Sequence, residues 1–210
     1  MAFRRLGTLF LLATTLFATT AIAQTRSEVF GVIGRPFLDD HQVPNTNFFD
    51  NTVHFGSPIS FEVGYARTVL GNESVVALTL ELPVLFTPNV KLNYGINTIP
   101  ESYSAFFVAP SVRARIFASN AVSPWVSFGG GFAYFSKSDT LVFGGPNPGE
   151  VGTTTGVYQI GGGLDVRILR SLSLRGEARD YNSGVPQLNV DYGQSRQNNL
   201  FVGGGVVFHF

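Results

Sequence analysis

The sequence predicts an all-β chain folded as an eight-stranded antiparallel transmembrane up-and-down β-barrel. Three observations carry that prediction. Segment after segment alternates apolar and polar residues with period two, the signature of a two-faced strand. Past the N-terminal region, no stretch approaches the ~20 continuous apolar residues of a membrane helix, so a bilayer would have to be crossed by strands. Connections between the alternating segments are short and long by turns, as in barrels with short turns at one end and long loops at the other. The composition agrees: only 13% of residues are charged, while glycine numbers 24 and phenylalanine 20.

In chain order, Arg4 and Arg5 precede the apolar run "LGTLFLLATTLFATTAIA", which closes on the small-residue pattern Ala21-Ile22-Ala23. That reads as a secretory signal peptide over residues 1–23, with residues 24–210 forming one barrel domain. Removing Arg4 and Arg5 leaves fewer basic than acidic residues, so nothing attracts nucleic acid. With Cys 0, an exported chain has no disulfide framework and no thiolate chemistry.

The strands follow. "EVFGVIGRPF" is the weakest, with apolar residues on both parities; its expected orientation puts Arg35 inward and Phe30 and Val32 outward. "SPISFEVGYAR" sets Ile59, Phe61, Val63 and Tyr65 against Ser60, Glu62, Gly64 and Ala66. "SVVALTLELPVLF" sets Leu78, Leu80, Leu82, Val84 and Phe86 against Ala77, Thr79 and Glu81. In "SAFFVAPSVRARIF" the apolar face opposes Ser111, Arg113 and Arg115; in "PWVSFGGGFAYF", Val126, Phe128, Phe132 and Tyr134 oppose Ser127, Gly129, Gly131 and Ala133. "GVYQIGGGLDVRI" carries Asp165 and Arg167 opposite Leu164, Val166 and Ile168, and "LSLRGEARDY" carries Arg175, Glu177 and Arg179 opposite Leu172 and Leu174. "NNLFVGGGVVFHF" closes the ring, with Leu200, Val202, Val206, Phe208 and Phe210 on one parity.

Links near residues 70–73, 119–123 and 169–171 are roughly three to five residues long, whereas those at 38–53, 87–103, 137–153 and 183–196 are roughly 14 to 17. The long ones hold the Asn, Pro and Gly punctuation, as in "GGPNPGEVG".

A closed sheet leaves no unpaired edge in hydrocarbon. The apolar faces then look at lipid. The lumen collects Arg35, Glu62, Glu81, Arg113, Arg115, Asp165, Arg167, Arg175, Glu177 and Arg179, six arginines and four acids that can pair where water is excluded. Inward glycines (Gly129, Gly131, Gly161, Gly163, Gly203, Gly205) make room for them, because an eight-stranded interior is only just filled by side chains. A plugged barrel is the expectation, with a small-solute pore as its variant. Parity alone also admits the inverse, a soluble lipocalin-like carrier with its aliphatic faces around a ligand. Strand length, loop asymmetry and the terminal aromatic favour the membrane.

At "GGGLDVRILRSLSLRGEARDYN" and "NNLFVGGGVVFHF" the sequence resembles the small OmpA-like outer-membrane β-barrel family of Gram-negative bacteria. The resemblance implies residence in the cell outer membrane, contact with outer-membrane lipid and lipopolysaccharide, and insertion by the barrel-assembly machinery. In that family the last strand is read through a glycine, a hydrophobic residue and a terminal aromatic, here Gly205, Phe208 and Phe210; Gly203 replaces a commonly polar residue. No second domain follows Phe210, so no cell-wall tether is expected. The resemblance leaves the partner of the long extracellular loops unidentified.

No enzymatic activity, cofactor or metal is expected. A lipid-modifying barrel enzyme would need a histidine with a serine and an acid, and "HFGSP" supplies His54 and Ser57 with no acid placed to orient them. His41 lies in a loop and His209 at the lumen mouth, too scattered for a metal site. "GGGLDVR" is followed by alternation, not by a helix, so it is no phosphate loop. Tyr65, Trp125, Tyr134, Phe208 and Phe210 fall near strand ends, where aromatic girdles form.

Overall fold

The computed structural model describes residues 27–44, 51–72, 75–191 and 193–210. The predicted signal peptide lies outside them. Among the described residues twelve strands run in chain order: β1 (Ser27–Leu38), β2 (His41–Gln42), β3 (Thr52–Phe55), β4 (Ser60–Asn72), β5 (Val76–Asn93), β6 (Ser102–Val108), β7 (Ser111–Ile116), β8 (Val122–Lys137), β9 (Gly152–Leu169), β10 (Leu172–Gly184), β11 (Arg196–Gln197) and β12 (Asn199–His209).

Nine of these strands form a closed antiparallel ring of eight staves: β1 pairs with β4 and β12, β5 with β4 and with β6 and β7, β8 with those two and with β9, and β10 with β9 and β12. β6 and β7 are one stave in two pieces. Val84 faces Val108 and Glu81 faces Ser111, so the register to β5 is the same on both sides of Ala109 and Pro110. Two prolines cause the break. Gly130 donates to the Pro110 carbonyl and Ala109 to the Pro83 carbonyl, but neither proline has an N–H to return. The ring closes where Glu28 pairs with His209, and Ser27 and Phe210 exchange backbone hydrogen bonds of 2.9 Å in both directions.

The short and long connections alternate as the sequence predicts, with one difference. β5 runs on to Asn93 through a bulge between Thr87 and Val90, where Asn89 takes φ 48°, so the expected long link at 87–103 shrinks to 94–101. β2, β3 and β11 are short pairings within the long connections.

Burial is inverted relative to a water-soluble barrel. Ile33, Phe61, Leu80, Val126, Phe128, Ile160, Leu174 and Val202, spread around the ring, are all exposed, while Glu62, Arg113 and Arg179 are fully buried. The lipocalin-like arrangement is thereby overturned, since its aliphatic faces would point inward.

The first strand is oriented opposite to expectation. Arg35 points outward with Ile33 and Phe37, whereas Phe30 and Val32 are buried in the lumen with Glu28. Space decides this. The Phe30 ring lies over Gly64, where a Cβ would come within 2.3 Å of it, and Val32 packs over Gly203. Those glycines receive apolar side chains from β1, and β1 turns its inward parity to fill them.

The lumen has two layers. Its short-turn half holds the charges. Its loop half holds Leu85, Val90, Tyr103, Phe107, Phe135, Val157, Tyr181 and Phe201, closed above by Val53, Tyr94, Ile99 and Leu188 from the connections. Edge-to-face contacts run through this layer, with Tyr103 and Phe107 each 5.8 Å from Phe135.

Candidate functional site

The charged layer is built by period-two alternation on six staves. β10 contributes Arg175, Glu177 and Arg179, β7 contributes Arg113 and Arg115, and β1, β4, β5 and β9 supply Glu28, Glu62, Glu81 and Asp165. Antiparallel register brings them to one level: Arg175 lies directly opposite Asp165.

Each carboxylate has a distinct setting. Asp165 takes a two-point grip from Arg175, Nε at 2.8 Å and Nη2 at 2.9 Å, and accepts from Trp125 Nε1 at 3.3 Å. Glu81 bridges two guanidiniums, Arg179 Nη1 at 2.7 Å and Arg113 Nη1 at 3.3 Å, and accepts from Ser111 Oγ at 3.0 Å. Glu28 pairs with both Arg113 and Arg115. Glu62 and Glu177 share Arg179 Nε, each at 3.2 Å, and Tyr181 donates to Glu62 at 2.9 Å. At the short-turn edge, His209 lies 3.7 Å from Glu28 and 2.9 Å from Ser173 Oγ, so it belongs to the base of the network and not to a solvated rim.

Trp125 is the centre of this layer. The sequence places it in a girdle, but it is buried inside, with the Arg179, Arg175 and Arg113 guanidiniums 4.8, 5.0 and 5.6 Å from its ring centroid. Room for it comes from Gly163, where a Cβ would lie 2.6 Å from Trp125 Cζ2; at Gly161 a Cβ would lie 2.7 Å from Arg179 Cγ. "GGGLDVR" is thus a stretch of wall thinned for large neighbours.

The network gathers eight of the ten predicted charges. Arg35 is outside, and Arg167, inward but at the edge, donates to the carbonyls of Ala118 and Ser119, capping a turn. Glu28 is the member that sequence reasoning missed, and it changes the balance to four arginines against five acids. Its signal was parity: once Phe30 and Val32 are taken as inward, Glu28 must be too. Interior cavities are about 10 Å³ each, one among Pro36, Leu85, Tyr103 and Phe107 and one beside Glu28 and Arg115. Each is about the size of one water.

No family model matches the sequence, and no curated protein does. Solved structures do match. OprG, an outer-membrane protein of Pseudomonas aeruginosa, aligns over 89% of this chain and 96% of its own at 8% identity and a TM-score of 0.52. Ail, the attachment invasion locus protein of Yersinia pestis, in complex with the heparin analogue sucrose octasulfate, aligns over 90% of this chain and all of its own at 10% identity and a TM-score of 0.51. The fold is that of the small outer-membrane β-barrels.

On the outer wall of this barrel, Tyr65, Tyr134, Phe208 and Phe210 are exposed as girdle residues would be, and Tyr65 Oη is 2.9 Å from Ser27 Oγ at the short-turn end. Gly205 of the terminal strand has a packing reason: a Cβ there would lie 1.9 Å from the Gly31 carbonyl. Near the loop end, the expectation that no acid orients His54 is corrected. Asp40 Oδ2 is 2.7 Å from His54 Nδ1, brought there by the turn after β1. Ser57 gives its hydroxyl proton to the Pro36 carbonyl at 2.6 Å, so the three residues do not form a relay toward a serine nucleophile.

Proposed function

We propose that this chain is a non-enzymatic integral outer-membrane protein with a plugged lumen, whose loop end is a surface-interaction face. Residues 1–23 serve as a cleaved signal peptide, and the last strand, through Gly205, Phe208 and Phe210, presents the chain to the barrel-assembly machinery. The lipid-facing wall contacts outer-membrane lipid and lipopolysaccharide. The observation that carries the reading is the inversion itself: an apolar exterior on every stave around a core in which Arg113, Arg179 and Glu62 are fully buried. Such charges block solute passage when they are paired with each other and covered by an aromatic layer.

Two measurements on the protein extracted from outer membranes test this. Mobility on a denaturing gel should change on boiling, and planar bilayers should show no sustained conductance. Recovery in the soluble periplasmic fraction would defeat the membrane assignment; steady channel currents would defeat the plug. The complex of the structurally similar Ail with a heparin analogue supports a surface-interaction role. The Asp40–His54 pair gives the enzymatic alternative a direct check: His54→Ala should leave the acyl content of lipopolysaccharide unchanged.

A further inference from the structure

At the loop end, a cleft of about 430 Å³ opens between the connection after β8 and the one after β10. Lys137, Glu150, Gln187, Asn189, Asp191 and Gln194 line it. The volume is that of a small-ligand site.

Lys137 forms its floor. As the last residue of β8 it continues the inward parity of Ala133 and Phe135, and it is 4% exposed. Its ammonium donates to Thr153 Oγ1 at 3.0 Å and to the Gln187 carbonyl at 3.2 Å. An ammonium has three N–H donors, and the third has no partner among the described residues. None of the ion pairs among those residues includes Lys137. A buried ammonium with a donor left unused is costly.

The wall of the cleft is a second, independent sign. Gln187 and Asn189 hold φ of 51° and 66°, the left-handed region that non-glycine residues rarely adopt, on either side of fully buried Leu188. Leu188 anchors the segment in the apolar layer, and Asn189 Nδ2 ties it to the Thr98 carbonyl at 3.1 Å and to Asn147 Oδ1 at 2.7 Å. The Gln187 carbonyl that this conformation presents is the one Lys137 uses.

We propose that this cleft binds a saccharide unit bearing one carboxylate, with the carboxylate on Lys137 Nζ and the ring hydroxyls on the side chains of Glu150, Gln187, Asp191 and Gln194. Amide side chains suit hydroxyl groups because they both donate and accept, and ionised carboxylates accept the hydroxyl protons. Two acids at the rim against a single lysine repel a polyanion, and no aromatic ring among the described lining residues offers a platform for a nucleobase. The site deepens the surface-interaction role and rests on that reading.

The test uses the purified full barrel in detergent micelles, with folding of each variant verified by its heat-shifted mobility. Methyl glucuronide, methyl glucoside and sucrose octasulfate are titrated by saturation-transfer NMR or calorimetry. The glucuronide should bind at least about tenfold more tightly than the glucoside, a difference of about 1.4 kcal/mol, and sucrose octasulfate should not compete. Lys137→Gln should erase the difference, and Gln194→Ala should weaken both sugars in a barrel that still folds. Failure of the glucuronide to bind, equal affinity for the two glycosides, or an unchanged preference in Lys137→Gln would overturn the assignment. If Lys137→Gln does not fold, Gln194→Ala and Asp191→Ala decide: unaltered glucuronide affinity in both overturns it. Surface exposure is read separately, by protease cleavage of the loops in intact cells. Glucuronide binding together with protected loops upholds the cleft and removes the surface role.

Discussion

Glu81 is the charge whose loss would be felt most. It answers two arginines on two different staves, so Glu81→Gln leaves Arg113 and Arg179 short of a partner inside the lumen. The expected cost is about 3 to 5 kcal/mol, read from reversible urea unfolding in lipid vesicles. Arg35→Ala, on the outer wall and without an ion pair among the described residues, should shift the same curve by less than about 1 kcal/mol. Equal effects would mean that the charged layer does not brace the barrel. These two residues also show what the sequence could reveal about the site. Glu81, Arg113 and Arg175 sit in strands whose other face carries apolar residues directly beside them, so their direction was legible. Arg35 sits between Ile33 and Phe37 in a strand with Phe30 and Val32 on the other parity, and only the glycines of neighbouring strands settle which set turns inward. The inward direction of Trp125 was written in its parity with Ser127 and Gly129, but the room for its ring was not, because that comes from Gly163 across the β8–β9 pairing, far away in sequence.

Among the elements, the β6–β7 stave is the weakest part of the wall. Pro83 and Pro110 leave the hydrogen bonds at Ala109 and Gly130 unreciprocated, and the Ala109 bond is long at 3.4 Å. The Ala109 amide should therefore exchange with solvent deuterium about tenfold or more faster than those of Phe107 and Arg113, measured by NMR in micelles; equal protection would count against a local opening there. Strand β12 makes a different kind of prediction. Phe208 and Phe210 pack on each other with centroids 6.3 Å apart on the outer surface, contributing little to the interior. Deleting Phe210 should lower outer-membrane levels several-fold while the refolded protein loses no more than about 2 kcal/mol, the worth of its two backbone hydrogen bonds to Ser27. Unchanged levels would show that the terminal aromatic is not what assembly reads. Strand existence and facing were legible in the sequence wherever alternation is clean. The extension of β5 to Asn93 was not, because its bulge resets the parity between Thr87 and Val90 and breaks the pattern being followed.

For the whole molecule, fold class was legible because the same two-faced pattern returns eight times and the connections alternate. The layered interior was not. On β6 both Phe106 and Phe107 are apolar, one facing out and one in, so nothing in their types marks the level at which the lumen changes from charge to aromatic packing. The division has a physical logic: the charges brace the short-turn half through ion pairs between staves, and the aromatics give Ile99 and Leu188 of the connections an apolar seat. The cleft at Lys137 lies just above this seal, so a ligand there would bind without entering the barrel.

The reciprocal hydrogen bonds between Ser27 and Phe210 have one more consequence. They make the sheet a hoop with no privileged point of entry, so the positions of the two chain ends are a matter of genetics and not of geometry. A circular permutant that joins Phe210 to Ser27 through a short linker and opens at Gly144–Gly145, both at positive φ with open space around them, keeps every pairing of the hoop. It should refold in detergent with native heat-shifted mobility and yet fail to accumulate in the outer membrane, because its last strand no longer ends on an aromatic. Normal accumulation of the permutant would show that the cell recognises the closed shape and not the tail.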